Sequence, residues 1–110
     1  MIVNDSETRL VYITASTAEE ATGIARTLIE ERLAACANVL PPIRSLYWWE
    51  GAVQDEPETA MILKTRADLV DRLVDRVKVL HSYSCPCVVA LPISGGNPDF
   101  LGWIRAETAS

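Results

Sequence analysis

His81 is the only histidine of the chain, and Tyr83, Cys85, Pro86 and Cys87 follow it at once. Imidazole and thiolate are the ligands that Zn, Cu and related ions take. A structural zinc site needs two ligand pairs, and the second is missing here. A histidine at the end of a helix also has a plainer use, as a group that compensates the helix dipole. Cys36 is the third thiol, and a small buried hydrophobe at a helix-to-strand junction is its plainer role. Pro86 favours an extended path that aims Cys85 and Cys87 to one side, which suits a two-thiolate clip for a soft metal; the alternative has Cys87 opening a core strand and Cys85 lining a turn. Nucleophilic catalysis needs a base and an orienting group beside the thiol, and no such arrangement is legible. Gly95-Gly96-Asn97 lacks the spacing of a phosphate-binding loop. The residues therefore speak for binding rather than catalysis. Lys64 ends a mostly apolar strand, so its ammonium should meet Glu58, Glu50 or a ligand anion.

These side chains need elements to hold them. Leu10–Ala15 reads as a strand, rich in β-branched and aromatic residues. Thr17-Ala18-Glu19-Glu20 fits a capping box, and Ala21, Ile24, Ala25, Leu28, Ile29 and Leu33 then recur at helical spacing. A second strand runs from near Ala37, meets Pro41-Pro42, which places it at a sheet edge or on a bulge, and resumes through Ile43 to Glu50. Glu50-Gly51-Ala52 reads as a hairpin turn. A third strand covers Val53 to Lys64, interrupted by Asp55-Glu56-Pro57. Thr65 is expected to cap a second helix whose Leu69, Leu73, Val77 and Leu80 share one face, with Asp68 and Arg72 paired on the other. Cys87–Ile93 makes a fourth strand, and Asn97-Pro98 starts a terminal helix carrying Phe100, Leu101, Trp103 and Ile104.

The order strand, helix, strand, strand, helix, strand, plus a terminal helix, predicts an α+β chain of the ferredoxin-like, split β-α-β plan, with sheet order 4-1-3-2. At 110 residues it is read as a single domain over residues 1–110 with a polar tail over residues 1–8. In that sheet the second and fourth strands lie at opposite edges, so Cys36 and Cys87 open at opposite ends. A joint Cys36 and His81 site would have to be shared between chains or not exist. Net charge is −5, from 15 acidic and 10 basic residues, and the basic ones are scattered, which argues against nucleic acid. The longest apolar runs, Leu33–Ala37 and Cys87–Leu91, are far short of the roughly 20 residues of a membrane span. The opening residues lack the pattern of a signal peptide, so the cytoplasm is expected, with free thiols. Leu46-Tyr47-Trp48-Trp49 sets large apolar side chains on both faces of an edge strand. Either the terminal helix covers one ring through Phe100 and Trp103, or a second copy of the chain does; self-association is favoured.

Taken together, Glu31-Arg32-Leu33-Ala34-Ala35-Cys36-Ala37-Asn38, Ser45-Leu46-Tyr47-Trp48-Trp49-Glu50-Gly51, Ile62-Leu63-Lys64-Thr65, His81-Ser82-Tyr83 and Leu91-Pro92-Ile93 resemble the CutA family of divalent-cation tolerance proteins, from about Leu10 to Thr108. The resemblance implies a ferredoxin-like subunit and a homotrimer built like the PII signalling proteins. It also implies a cytoplasmic, non-catalytic role in tolerance of metal ions such as copper. A bound divalent ion, Cu or Zn, would not be essential for folding. Family positions for metal contact map onto Cys36 and His81, and those of an intersubunit cleft onto Trp49, Glu58, Lys64, Tyr83 and Trp103. The alternative is a PII-like regulatory module that binds a small anion in those clefts, with Lys64 as counter-charge. Three features depart from the family pattern: Ile13 and Thr14 stand where some relatives have a cysteine, Ser16 and Ser82 replace usual prolines, and Cys85 and Cys87 replace non-thiol residues.

Overall fold

One long strand, β4 (Ala52–Arg66), organises the sheet. The computed structural model describes residues 7–109. Its elements in chain order are β1 (Thr8–Ala15), α1 (Ala18–Glu30), β2 (Cys36–Val39), β3 (Ile43–Trp49), β4, α2 (Val70–Leu80), β5 (Val88–Pro92) and α3 (Pro98–Glu107). All pairings are antiparallel: β4 lies between β2 and β1, β5 pairs the far side of β1, and β3 pairs the first half of β4. This is the expected 4-1-3-2 order, with the second strand broken into β2 and β3. Of the expected polar tail, residues 1–6 lie outside the described residues, and Thr8 already opens β1, with 3% of its surface exposed.

The break has a defined geometry. Val39 faces Met61 but Ile43 faces Glu58, so Leu40, Pro41 and Pro42 stand against only Thr59 and Ala60. That one-residue excess is a β-bulge, placed where two prolines withhold ladder donors. β4 itself runs unbroken through Asp55-Glu56-Pro57, contrary to the sequence expectation. β1 ends opposite Thr59, so Pro57 has a neighbour on one side only and its missing N–H need not break a ladder. The hairpin closes through Glu50 (φ 52°) and Gly51 (φ 78°). Two left-handed residues between strands make a type I′ turn, whose twist matches that of the strands; Gly51 adopts this φ freely. Because the hairpin projects past β1, the molecule measures 46 × 26 × 24 Å.

The start of α1 is capped as its sequence predicts: Thr17 Oγ1 accepts from the Glu20 N–H at 3.1 Å. At its end, Leu33 N–H donates to Leu28 O and Arg32 N–H to Ile29 O, the Schellman pattern, with Arg32 rather than glycine at φ 64°. Asn97 caps α3 by accepting from the Asp99 N–H, with Pro98 in the first turn. Thr65, by contrast, is no cap. It belongs to β4, and its hydroxyl donates to Leu33 O at 2.7 Å in the interior. The chain enters α2 through a 3-10 turn, Ala67–Leu69, without a side-chain cap, and Asp68 pairs with Arg66 rather than Arg72. Thr65→Val should cost about 1–2 kcal/mol, because the Leu33 carbonyl loses this buried donor; denaturant unfolding that matches wild type would show the bond contributes nothing.

Strand alternation sends Val11, Ile13, Met61 and Leu63 to one face, where they pack with Ala21, Ile24 and Leu28 of α1 and Leu73 and Val77 of α2. The opposite face stays partly open, with Val89 and Leu91 about half exposed. Trp48 is 75% exposed, so the terminal helix does not cover it. Phe100 and Trp103 pack on each other instead, ring centres 5.4 Å apart.

Candidate functional site

On the open face a groove of about 820 Å³ runs between the β3–β4 hairpin and the segment that leads into β5. Hairpin residues Tyr47, Trp49, Glu56 and Glu58 line one wall, and Tyr83, Cys85 and Cys87 the other. Tyr47 donates its hydroxyl proton to Glu56 Oε1 at 2.7 Å, and Tyr83 donates to Glu58 Oε2 at 2.8 Å. Glu58 is only 8% exposed and, among the described residues, has no cationic partner. Burial and the bond to Glu58 push the Tyr83 phenol far above its usual range. Burial also raises the Cys87 thiol; the nearby Glu58 carboxylate adds to this, and a hydrogen bond from the Thr14 side chain opposes it. Arg44 is the one cationic residue that borders the groove among the described residues; its side chain lies on the other face of β3, where Asp55 holds it in a two-point pair at 2.6 and 2.7 Å. The groove thus keeps uncompensated negative charge.

Below the groove, α1 is tied to the end of α2 through Glu20. Its carboxylate accepts from Ser82 N–H at 2.8 Å and from Ser16 N–H and Oγ–H at 3.2 and 2.9 Å. Burial alone would raise Glu20, but these bonds hold it down at about 2. His81 lies alongside with its side chain fully covered. Its Nε2 is 2.8 Å from the Thr14 carbonyl, which can only accept, and its Nδ1 accepts from Tyr83 N–H at 3.0 Å. These partners define a neutral ring with the proton on Nε2. Donation of Nε2–H to a carbonyl is how metal-bound histidines are commonly oriented, but here the other nitrogen is also engaged and sealed from solvent.

Cys36 sits elsewhere. It faces Lys64, which faces Leu10 on β1, whereas His81 bonds the carbonyl of Thr14. Four residues along β1 separate the two levels, about 13 Å. One chain therefore does not bring Cys36 and His81 to a common metal ion. Burial raises the Cys36 thiol, partly offset by Lys64. Of the cleft residues implied by the family resemblance, the structure gathers Trp49, Glu58 and Tyr83. Lys64 and Trp103 do not line the groove. Lys64 donates to the Asn38 side-chain oxygen at 2.5 Å, not to Glu58 or Glu50. Tyr47 and Glu56 were not singled out as a site pair, although the turn at Glu50-Gly51 fixes their meeting: it sets Tyr47 opposite Gln54, and Glu56 is the next residue on that face.

Residues 9–107 match the family CutA1 divalent ion tolerance protein. The divalent-cation tolerance protein CutA of Archaeoglobus fulgidus is 49% identical over 94 residues, covering 86% of this chain and 91% of that protein. A chloroplastic CutA 1 of Oryza sativa is 46% identical over 99 residues, 90% of this chain but 56% of the rice protein, so the chain spans about half that relative's length. The crystal structure of CutA1 from Oryza sativa superposes with a TM-score of 0.91 at 45% identity, covering 94% of each chain. On sequence and fold together, the chain belongs to the CutA1 divalent ion tolerance family.

Proposed function

We propose that this protein serves divalent-ion tolerance as a non-catalytic homotrimer that binds metal ions such as Cu or Zn in the cytoplasm. The observation that carries the binding half is the groove: two carboxylates and two thiols line it, while the one cation at its border, Arg44, is neutralised by Asp55. A small anion suits it poorly, since Lys64 points to Asn38 at another level of the sheet. The assembly half rests on the exposed rings of β3 and the open sheet face, which a second and third copy would cover. A site made from Cys36 and His81 would then lie between chains and need the His81 ring to be released from Tyr83. The free thiols fit a reducing compartment.

Sedimentation at micromolar concentration should give three times the 12.1 kDa chain mass, and calorimetric titration of that species with Zn²⁺ and with Cu²⁺ should show saturable uptake. A monomer would refute the assembly, and the absence of uptake of either ion would refute the binding.

A further inference from the structure

Cys85 and Cys87 are both exposed free thiols on the groove, separated only by Pro86. The proline fixes its own φ and biases Cys85 to an extended backbone. The chain bends through Ser82–Cys85 before β5 begins at Val88, and both cysteines line the same cavity. Opposite them stands Glu58. Tyr83 satisfies its Oε2, while Oε1 makes no hydrogen bond among the described residues. Among the described residues no fully buried side-chain oxygen lacks a partner, so Oε1 is open to water and available to a cation that enters the groove.

We propose that Cys85 and Cys87, with Glu58 as third ligand, form a binding site for a thiophilic divalent ion of the Zn²⁺ class. This rests on the cation-binding reading above and names its site. Among the described residues no three His, Cys, Asp or Glu side chains are already gathered around one point, so the ligands close on the ion by side-chain rotation. Two thiols bring two sulfur ligands from one short segment, and Zn²⁺ takes thiolate, carboxylate and a water in four-coordinate sites. Charge selects the valence. Each thiol gives its proton to water on ligation, so a divalent ion leaves the charge of the groove unchanged beside Glu56 and Glu58. A monovalent ion would leave it one unit more negative.

The test is Zn²⁺ calorimetry on the reduced, assembled protein, with Co²⁺ as an optical probe of thiolate ligation. Wild type should bind Zn²⁺ and show a sulfur-to-Co²⁺ charge-transfer band. Cys85→Ser/Cys87→Ser should lose the band and weaken Zn²⁺ binding about 100-fold, and Glu58→Gln should weaken it about tenfold with the band retained. If the double serine variant assembles poorly, Cys85→Ser alone, at an exposed position, must still abolish the two-thiolate spectrum. Retention of affinity and band in the serine variants overturns the site, while metal binding by the protein stands. Absence of any uptake by wild type overturns this site and the broader reading together.

Discussion

Leu63→Ala will destabilise the protein by about 3 kcal/mol, within the 2–5 kcal/mol range of leucine truncation in a packed core. Leu63 is fully buried on β4 between Ala37 of β2 and Val11 of β1, under both helices. Neighbours on two strands cannot move into the vacated space without breaking ladder bonds, so most of the cavity stays open. Denaturant midpoints should be compared at one protomer concentration, since association adds to apparent stability. A loss below about 1 kcal/mol would mean that the sheet closes over the gap and is less rigidly packed than its geometry implies.

The second large effect is acid sensitivity through Glu20. Its carboxyl is held at about 2 against a usual 4.5, and its side chain is 16% exposed. A carboxylate depressed in the folded state stabilises the fold fully above the unfolded value, and that contribution disappears as pH falls through the folded one. The shift corresponds to about 3 kcal/mol. Wild type should therefore lose roughly that much between pH 5 and pH 2 on account of this residue. Glu20→Gln should already lack it at pH 7 and should converge on wild type near pH 2. His81, whose Nδ1 is 3.7 Å from Glu20 Oε2, is present in both proteins. A gap between wild type and variant that stays constant with pH would show that the carboxylate charge is not what joins α1 to Ser82.

What the sequence made legible was mostly local. Thr17 and Glu20 sit three residues apart and meet because a helix start brings them together; Asn97 and Pro98 announce α3 in the same way, and paired prolines mark the bulge. Thr65 was misread because a threonine three residues ahead of an aspartate looks like a cap, while its real partner, Leu33 O, is 32 residues away. Nothing local encodes that contact. Lys64 met an amide, since its strand neighbour Cys36 brings Asn38 to the same face. For the groove, Trp49, Glu58 and Tyr83 came from family resemblance, and only the hairpin register, not composition, puts Tyr47 beside Glu56. The opposite ends occupied by Cys36 and Cys87 were deducible from strand order alone.

The bulge at Leu40–Pro42 also sets the phase of everything after it. On β2 the even-numbered residues, Cys36 and Asn38, share the open face with Lys64 and Ile62. After the extra residue the parity inverts: Ile43, Ser45, Tyr47 and Trp49 share a face with Glu58, Glu56 and Gln54, and Arg44, Leu46 and Trp48 face the other way. A one-residue slip of β3 against β4 that ironed out the bulge would bring the two halves back into phase and turn β3 over. Leu46 and Trp48 would then fill the groove, while the Tyr47 hydroxyl would leave Glu56. With strand order and helices untouched, that slip exchanges an acidic, phenol-bearing wall for an apolar one.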